Sequence, residues 1–245
     1  MNFFKILINI PNGVVLTSKW LKQQGISTNL LKVYRRNQSI YSISRGAYVK
    51  INDIPTMEGA IFALQQDDVN IHIGGRSALS GYHNVWHYLR KKQKYTLFSS
   101  KKNILPQWFK TAFLNDYTYC NYIFLHTDLG IELRDTGLGF KILTSCPERA
   151  FLELLYSCPE DLSVQEAYEI LELLPTLRPK ILQDLLTNCS SVKVKRLFLY
   201  LSSKVNHIWN EALDLKKIDL GTSVYTINDK GKYVKEFNIV VNEVK

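Results

Sequence analysis

Residues 17–37 read TSKWLKQQGISTNLLKVYRRN, and this stretch decides the fold that the sequence predicts. The run up to Gln24 is typical of a short helix, and Gly25 tolerates the left-handed geometry that follows many helix ends. One residue later, Ser27 is a good N-cap for the next helix, which we predict over residues 28–37. Two short helices joined by a tight turn with glycine indicate a helix-turn-helix.

Short elements on both sides of this helix pair extend the prediction to a winged helix. Residues 2–10 predict an apolar helix, and residues 39–43 and 47–51 alternate in polarity as two strands do. A hairpin that follows a helix-turn-helix is a wing. We therefore expect Arg45, at its tip, to enter a minor groove or bind a phosphate, and Lys50, on the second strand, to contact phosphate.

Almost all of the net positive charge lies in this N-terminal segment. Residues 1–52 hold eight Lys and Arg and neither Asp nor Glu, whereas the remaining 193 residues hold 23 Lys and Arg against 22 Asp and Glu. Charge concentrated in this way favours a polyanionic partner. Because the segment is also rich in aromatic and aliphatic residues, we expect a folded module rather than a disordered basic tail.

The helix predicted over residues 28–37 separates into two faces. Leu30, Leu31 and Tyr34 are expected to point into the core. The other face is polar and basic, which suits a major groove because Arg can bind guanine, Asn can bind adenine and Lys neutralises phosphate. The candidate DNA contacts are Ser27, Thr28, Asn29, Lys32, Arg35 and Arg36 on this helix and Arg45 on the wing. The alternative is a solvated charged face, although such a face ordinarily mixes acids with bases.

The rest of the chain predicts a larger mixed α/β domain, which makes the fold class α+β. We expect the winged helix over residues 1–52, a connecting α/β segment over residues 57–98 and a C-terminal domain over residues 99–245. In the C-terminal domain, Ser145 with Glu148 and Ser163 with Glu166 predict capping boxes at the starts of two helices. Residues 121–125 predict a strand, and residues 224–227 and 237–241 predict a hairpin.

A second basic cluster lies on the helix predicted over residues 192–204. Lys193, Lys195, Arg196 and Lys204 are expected to be exposed there, and the first three form a candidate anion patch. Such a patch could assist DNA binding or contact an RNA. A solvated basic face is the alternative, as it is for most runs of charge.

Metal, cofactor and catalytic sites are not expected. His83 and His87 have a spacing that suits a metal, but Asn84 replaces the glutamate of the H-E-x-x-H motif and no third ligand is evident. No nucleophile with its base can be inferred, so the sequence predicts a protein that is not an enzyme. The four cysteines lack regular spacing, which predicts reduced, mostly buried thiols in a cytosolic protein without a signal peptide or a membrane span.

Motifs spread over nearly the whole chain occur together in the order of one known family. They are Trp20–Leu21, Gly25–Ser27 and Arg45–Tyr48 in the winged helix, then HIGGRSALSGY at residues 72–82, LPQW at 105–108, PERAFLELL at 147–155, SVKVKRLFLYL at 191–201, and the segment from Leu213 to Gly221. This set resembles the AbiEi family of antitoxins of type IV toxin–antitoxin systems.

The resemblance implies a transcriptional autorepressor whose winged helix binds inverted repeats in the promoter of its own two-gene operon. It also implies that the second gene encodes a toxin with a nucleotidyltransferase-like fold, in a system of phage abortive infection. The C-terminal part would counteract this toxin without forming a stable complex. The residues themselves leave two alternatives open: a nucleic-acid-processing enzyme or RNA-binding regulator targeted by a winged helix, and a protein-interaction module.

Overall fold

The computed structural model describes residues 3–82, 85, 94–120 and 123–245, with side chains described from Lys5 onward. The architecture is α+β, as the sequence predicts, with a winged helix at the N-terminus and a mixed α/β part after it. The N-terminal elements are α1 (Phe3–Asn9), β1 (Leu16–Thr17), α2 (Ser18–Gln23), α3 (Thr28–Arg36), β2 (Ile40–Ser44) and β3 (Ala47–Lys50).

The turn between α2 and α3 is a Schellman motif. The N–H of Ile26 donates to the carbonyl oxygen of Leu21 over 2.9 Å, and the N–H of Gly25 donates to that of Lys22 over 3.0 Å. Gly25 has φ +80°, a conformation that costs a residue with a Cβ atom about 1–2 kcal/mol. Leu21 and Ile26 are both buried, so the turn is packed as well as hydrogen-bonded. The predicted helix-turn-helix is confirmed.

The wing contains the predicted hairpin and one further strand. β3 pairs antiparallel with β2 on one side and with β1 on the other, and Leu16 lies opposite Tyr48. β1 is two residues long, which is too short for its alternation to be predicted. The N–H of Ser18 donates to the carbonyl oxygen of Gly46 over 2.9 Å, so the wing turn is tied to the start of α2.

A helix after the wing, α4 (Met57–Gln66), contacts both halves of the molecule. Near its start, Gly59 packs so closely on the loop before β1 that a Cβ atom there would overlap the carbonyl oxygen of Gly13. Near its end, the Gln65 side chain accepts from the N–H of Leu143 over 2.9 Å and donates to the carbonyl oxygen of the same residue over 3.3 Å. α4 therefore connects the winged helix to the central sheet.

The mixed α/β part is built on a central sheet with parallel and antiparallel strands. Its elements are β4 (His72–Ile73), α5 (Gly75–Leu79), β5 (Tyr95–Phe98), α6 (Gln107–Ala112), β6 (Tyr117–Tyr119), β7 (Ile131–Asp135) and β8 (Lys141–Ser145). The strand order is β6-β5-β4-β8-β7, with parallel pairing of β4 with β8 and of β5 with β6. The expected division between residues 98 and 99 thus falls between two neighbouring strands of this sheet.

A layer of helices covers the sheet, and a small sheet closes the C-terminus. The elements are α7 (Pro147–Tyr156), α8 (Val164–Glu172), α9 (Pro179–Thr187) and α10 (Val192–Ser202), three 3₁₀ segments (Ile208–Ala212, Leu215–Lys217 and Lys235–Phe237), and β9 (Tyr225–Thr226), β10 (Lys232–Val234) and β11 (Ile239–Val241). α7 contacts α5, β8 and the other three helices of the layer. It lies within the hydrophobic core, with Phe151 and Leu155 fully buried.

The two predicted capping boxes have different outcomes. Ser163 and Glu166 form the reciprocal hydrogen bonds of a capping box at the start of α8, as predicted. The box predicted for Ser145 and Glu148 is wrong, because α7 begins after Cys146. Ser145 donates instead to Glu153 over 2.7 Å. Glu148, which is also buried, accepts hydrogen bonds from Arg178 instead of the helix end.

The predicted strands near residue 123 and at the C-terminus also differ from the structure. Of residues 121–125, the first two lie outside the described residues, and Leu125 forms an isolated bridge with Cys189 rather than part of a strand. The predicted C-terminal hairpin is wrong, because β9 pairs parallel with β11. β10, which lies between them in sequence, takes the antiparallel position on the other side of β11.

Candidate nucleic-acid interface

The outward surface of α3 carries the side chains that the sequence predicts for DNA contact. All of the following are exposed: Thr28, Asn29, Lys32, Arg35 and Arg36. At about 100° per residue, Asn29, Lys32 and Arg36 project farthest from the buried side of the helix. Thr28 and Arg35 lie at one border of this face. The face can therefore present an amide and several cations to one groove.

Ser27 has a structural role at the start of the same helix. Its Oγ accepts a hydrogen bond from the N–H of Leu30 over 3.3 Å, which makes Ser27 the N-cap of α3 as predicted. The side chain stays exposed beside the first turn of the helix. A contact to DNA would have to use its remaining hydrogen-bonding capacity.

Two aliphatic side chains of α3 face solvent, which the sequence did not indicate. The prediction that Leu30 lies in the core is wrong: Leu30 is 40% exposed, and Val33 is 44% exposed. Leu31 and Tyr34 form the line of the helix that packs inward. Leu30 and Val33 each precede one of these residues, so they form a parallel line at the edge of the exposed face.

Arg45 lies at the tip of the wing, in the turn between β2 and β3, and its side chain is exposed. Gly46 beside it has φ +85°, so the turn depends on a residue that adopts left-handed geometry readily. Because the carbonyl of Gly46 is bonded to the start of α2, the tip is held near the helix-turn-helix. The wing tip is thus anchored to the same helix-turn-helix that carries the exposed face of α3.

Two of the eight N-terminal cations are bound within the protein. Lys19 forms an ion pair with Asp68 over 3.2 Å. Nζ of Lys50 donates to Oδ1 of Asn12 over 2.7 Å and to the carbonyl oxygen of Ile10 over 2.8 Å, and lies 3.9 Å from a carboxylate oxygen of Asp53. The expected phosphate contact of Lys50 is therefore wrong, because these bonds hold the lysine at the end of α1.

The other cations of the surface remain available. Within the described part of the chain, no ion pair is formed by Lys22, Lys32, Arg35, Arg36 or Arg45. Unpaired charges of one sign reinforce one another's positive potential. We give the name DNA face to these unpaired cations together with Asn29, because the sequence predicts DNA contact for most of them.

The second candidate anion patch is not exposed as predicted: Lys195 and Arg196 are buried and Lys193 is half-buried. Arg196 is fully buried, and its Nε donates to the carbonyl oxygen of Leu220 over 2.8 Å. Nζ of Lys193 donates to the carbonyl oxygens of Tyr156 and Cys158, each over 2.7 Å. Lys195 is buried too, while Lys204 is exposed. Because Lys193 and Arg196 donate to backbone carbonyl groups packed against α10, these two cations stabilise the C-terminal part.

A buried charged cluster that the sequence did not reveal joins the central sheet to α7. The Glu153 carboxylate accepts hydrogen bonds from Arg149 Nε over 2.8 Å, from Ser145 Oγ over 2.7 Å and from the N–H of Gly75 over 3.1 Å. Burial opposes its charge, but His72 and Arg149 hold the pKa of Glu153 below its ordinary value. Since the carboxylate has a full set of donors, the cluster is structural.

Two clefts in the mixed α/β part carry charges of both signs. One, of about 820 Å³, lies between the sheet and the helical layer and is lined by Lys94 and Lys193 as well as Glu160 and Asp161. The other, of about 870 Å³, is lined by Arg134 and also by Glu58, Asp116 and Asp135. This mixture contrasts with the acid-free DNA face.

Within the described ranges, no cluster of three or more His, Cys, Asp and Glu side chains is arranged to hold a metal ion. His83 and His87, the pair with metal-ligand spacing, lie outside the described residues. None of the described helices has the length and apolar character needed to cross a membrane. Cys146, Cys158 and Cys189 are buried, as expected, and Cys120 is half-buried.

The fold and the DNA face define the class of the molecule as a winged-helix protein with a larger mixed α/β part. Sequence comparison gives the family. A family model described as "Transcriptional regulator, AbiEi antitoxin, Type IV TA system" matches residues 92–242, and the model of the AbiEi antitoxin N-terminal domain matches residues 3–91. The chain therefore belongs to the AbiEi family of transcriptional regulators, the antitoxins of type IV toxin–antitoxin systems.

Comparison with other known proteins adds support for the fold. The crystal structure of the RV2827C protein from Mycobacterium tuberculosis matches with a TM-score of 0.60 and 15% sequence identity, over 98% of this chain and 89% of that one. At this identity the likeness concerns the fold. Among curated proteins, no significant match is found.

Proposed function

We propose that this protein is a sequence-specific autorepressor that binds inverted repeats in its own promoter. The DNA contacts are Ser27 at the N-cap of α3, Thr28, Asn29, Lys32, Arg35 and Arg36 on this helix, and Arg45 on the wing. The winged helix, residues 1–52, binds DNA, and residues 99–245 carry the antitoxin activity. Residues 57–98 connect these two parts. The antitoxin activity counteracts a nucleotidyltransferase-like toxin without a stable complex, and the protein itself catalyses no reaction.

The observation that carries this proposal is the set of exposed, unpaired cations on α3 and the wing. Lys32, Arg35 and Arg36 lie on one short helix, and Arg45 lies on a turn tied to the same unit. A folded helix with an amide and free guanidinium groups suits direct readout of bases, while the wing suits backbone contact. Family membership supports the regulatory and antitoxin roles.

A gel shift with the full-length protein tests the autorepressor. The probe is duplex DNA from immediately upstream of its own gene, and the competitor is random duplex of equal length and composition. We expect the upstream DNA to bind at least 10³-fold more tightly, as specific sites ordinarily do. Equal affinity for both duplexes would refute sequence-specific repression.

Separation of the two activities tests the division of labour. Full-length protein with Lys32→Ala and Arg36→Ala together should lose operator binding, while cells that express the toxin should still be rescued by it. Affinity purification of the tagged antitoxin should recover no stoichiometric toxin. Loss of rescue in this folded variant, or a stable complex with the toxin, would contradict the proposal.

A further inference from the structure

Leu30 and Val33 form an exposed apolar pair on α3, and electrostatic contact with DNA alone would give these two side chains no role. They lie three residues apart on the exposed side of the helix, at 40% and 44% exposure. Scattered exposed aliphatic residues are common. These two are set beside Asn29, Lys32 and Arg36, in a segment of 52 residues that contains no Asp or Glu.

Charge complementarity identifies what covers this pair. The neighbouring cations are unpaired and no acid occurs in the first 52 residues, so a polyanion is the partner that this surface attracts. Within a DNA major groove, the apolar group available to an aliphatic side chain is the C5-methyl group of thymine. Residues near the start of a recognition helix are the ones that reach base edges. Leu30 and Val33 lie in the first six residues of α3.

We infer that Leu30 and Val33 are specificity-determining residues that contact thymine methyl groups of the operator. The inference rests on the DNA-binding function proposed above and adds a second kind of readout to it. Asn29 and Val33 are one helical turn apart on the same face, so the amide suits an adenine while the valine contacts a thymine methyl. The half-site is therefore expected to contain A·T pairs under the first half of α3.

Removal of single methyl groups from the DNA tests the contact. In the upstream duplex, each thymine of one half-site is replaced in turn by deoxyuridine, which keeps the base pairing and lacks the methyl group. Affinity of the full-length protein is measured by fluorescence anisotropy at one fixed salt concentration. We expect about fourfold weaker binding at one or two of these positions, which corresponds to the burial of one methyl-sized group.

Variants of the protein assign each sensitive position to a side chain. Val33→Ala should weaken binding to the thymine duplex by a similar factor, and deoxyuridine at one sensitive position should then cause no further loss of affinity. Leu30→Ala should have the same two effects at another position. Val224→Ala is the matched control, because Val224 is 53% exposed in the C-terminal part. It should keep the wild-type affinity and the wild-type methyl sensitivity.

Three results are distinguishable. The inference is overturned if the protein binds its operator specifically and no methyl removal weakens that binding. It is also overturned if the Val33→Ala and Leu30→Ala proteins keep full methyl sensitivity. Either result leaves the repressor function standing. A change of sedimentation in these variants without a change in methyl sensitivity would also overturn it, because the pair would then contact a second copy of the chain. No preference for upstream over random duplex would remove the proposed function itself.

Discussion

Nε2 of His72 lies 2.8 Å from Oε1 of Glu153, and this contact joins β4 to α7 across 81 positions of the chain. The two side chains are 2% and 1% exposed. Nε of Arg149 lies 2.8 Å from the same carboxylate oxygen. The carboxylate therefore compensates buried donors on two elements, and its removal would leave a buried guanidinium without its counter-ion.

Glu153→Ala should be among the most destabilising single substitutions in the protein. Loss of one partner from a buried ion pair costs about 3–5 kcal/mol, because the remaining charge stays desolvated. The free energy of unfolding is measured by urea denaturation. Glu243→Ala, which removes an exposed carboxylate paired with Lys232, is the control and should leave the midpoint unchanged. Equal midpoints for the two variants would show that the buried cluster does not stabilise the fold.

The free energy of unfolding should fall as the pH drops below the range in which a glutamate carboxyl ordinarily titrates. Burial opposes the charge of Glu148, but hydrogen bonds from Arg178 bring the pKa of this carboxyl below its ordinary value, as His72 and Arg149 do for Glu153. A depressed folded-state pKa stabilises the protein above the unfolded-state pKa, about 4.3, and this contribution is lost as the pH falls through the folded-state value.

Glu148→Gln checks that origin of the pH dependence. The variant should be less stable than the wild type at pH 7 and should lose less stability between about pH 5 and pH 3, because one linked carboxylate is gone. Thermal unfolding followed by circular dichroism at several pH values gives both quantities. A pH profile parallel to that of the wild type would contradict the role of Glu148.

Lys32→Ala and Lys50→Ala should separate DNA contact from structural support. Lys32 is unpaired on α3, so its loss should weaken binding to every duplex and reduce the slope of log affinity against log salt by about 1. Lys50 is bonded to Ile10 and Asn12, so its loss should lower the melting temperature and leave the salt slope unchanged. The reverse assignment of the two effects would refute the placement of the DNA face.

Gln38→Gly should stabilise the winged helix. Gln38 follows α3 with φ 53°, a left-handed conformation that costs a non-glycine residue about 1 kcal/mol. It also closes a Schellman motif, since the N–H of Ser39 donates to the carbonyl oxygen of Tyr34 over 2.9 Å. The matched substitution Gln23→Gly, at the last helical residue of α2, replaces a residue without positive φ and should destabilise by up to about 1 kcal/mol. Urea denaturation should thus show a higher free energy of unfolding for Gln38→Gly than for the wild type, and a lower one for Gln23→Gly.

The winged helix could be predicted because its signals are local. Gly25 and Ser27 determine the turn through bonds to residues within five positions, and a glycine and an N-cap can be recognised in the sequence alone. The acid-free charge of the first 52 residues is likewise visible without coordinates. The position of Leu30 was missed because consecutive apolar residues on a helix do not share one face.

The polar partners of the C-terminal part could not be predicted, because they come from distant parts of the chain. Arg196 donates to carbonyl oxygens of Leu220 and Asn238, which lie 24 and 42 positions away. A run of basic residues gives no indication that later loops will cover it. The same holds for Glu148, whose partner Arg178 lies 30 positions farther along. Long-range burial therefore decides the role of these charges.

The close packing of Gly59 on Gly13 has a practical consequence for engineering. The N–H of Gly13 also donates to the carboxylate of Asp53, over 2.9 Å, and Thr17 donates to Asp67 over the same distance. A chimaera that joins this winged helix to another regulator should therefore keep the chain through Val69. A fusion cut at residue 52 would discard the acceptors that anchor its first loop and strand, and with them the scaffold on which the transplanted specificity depends.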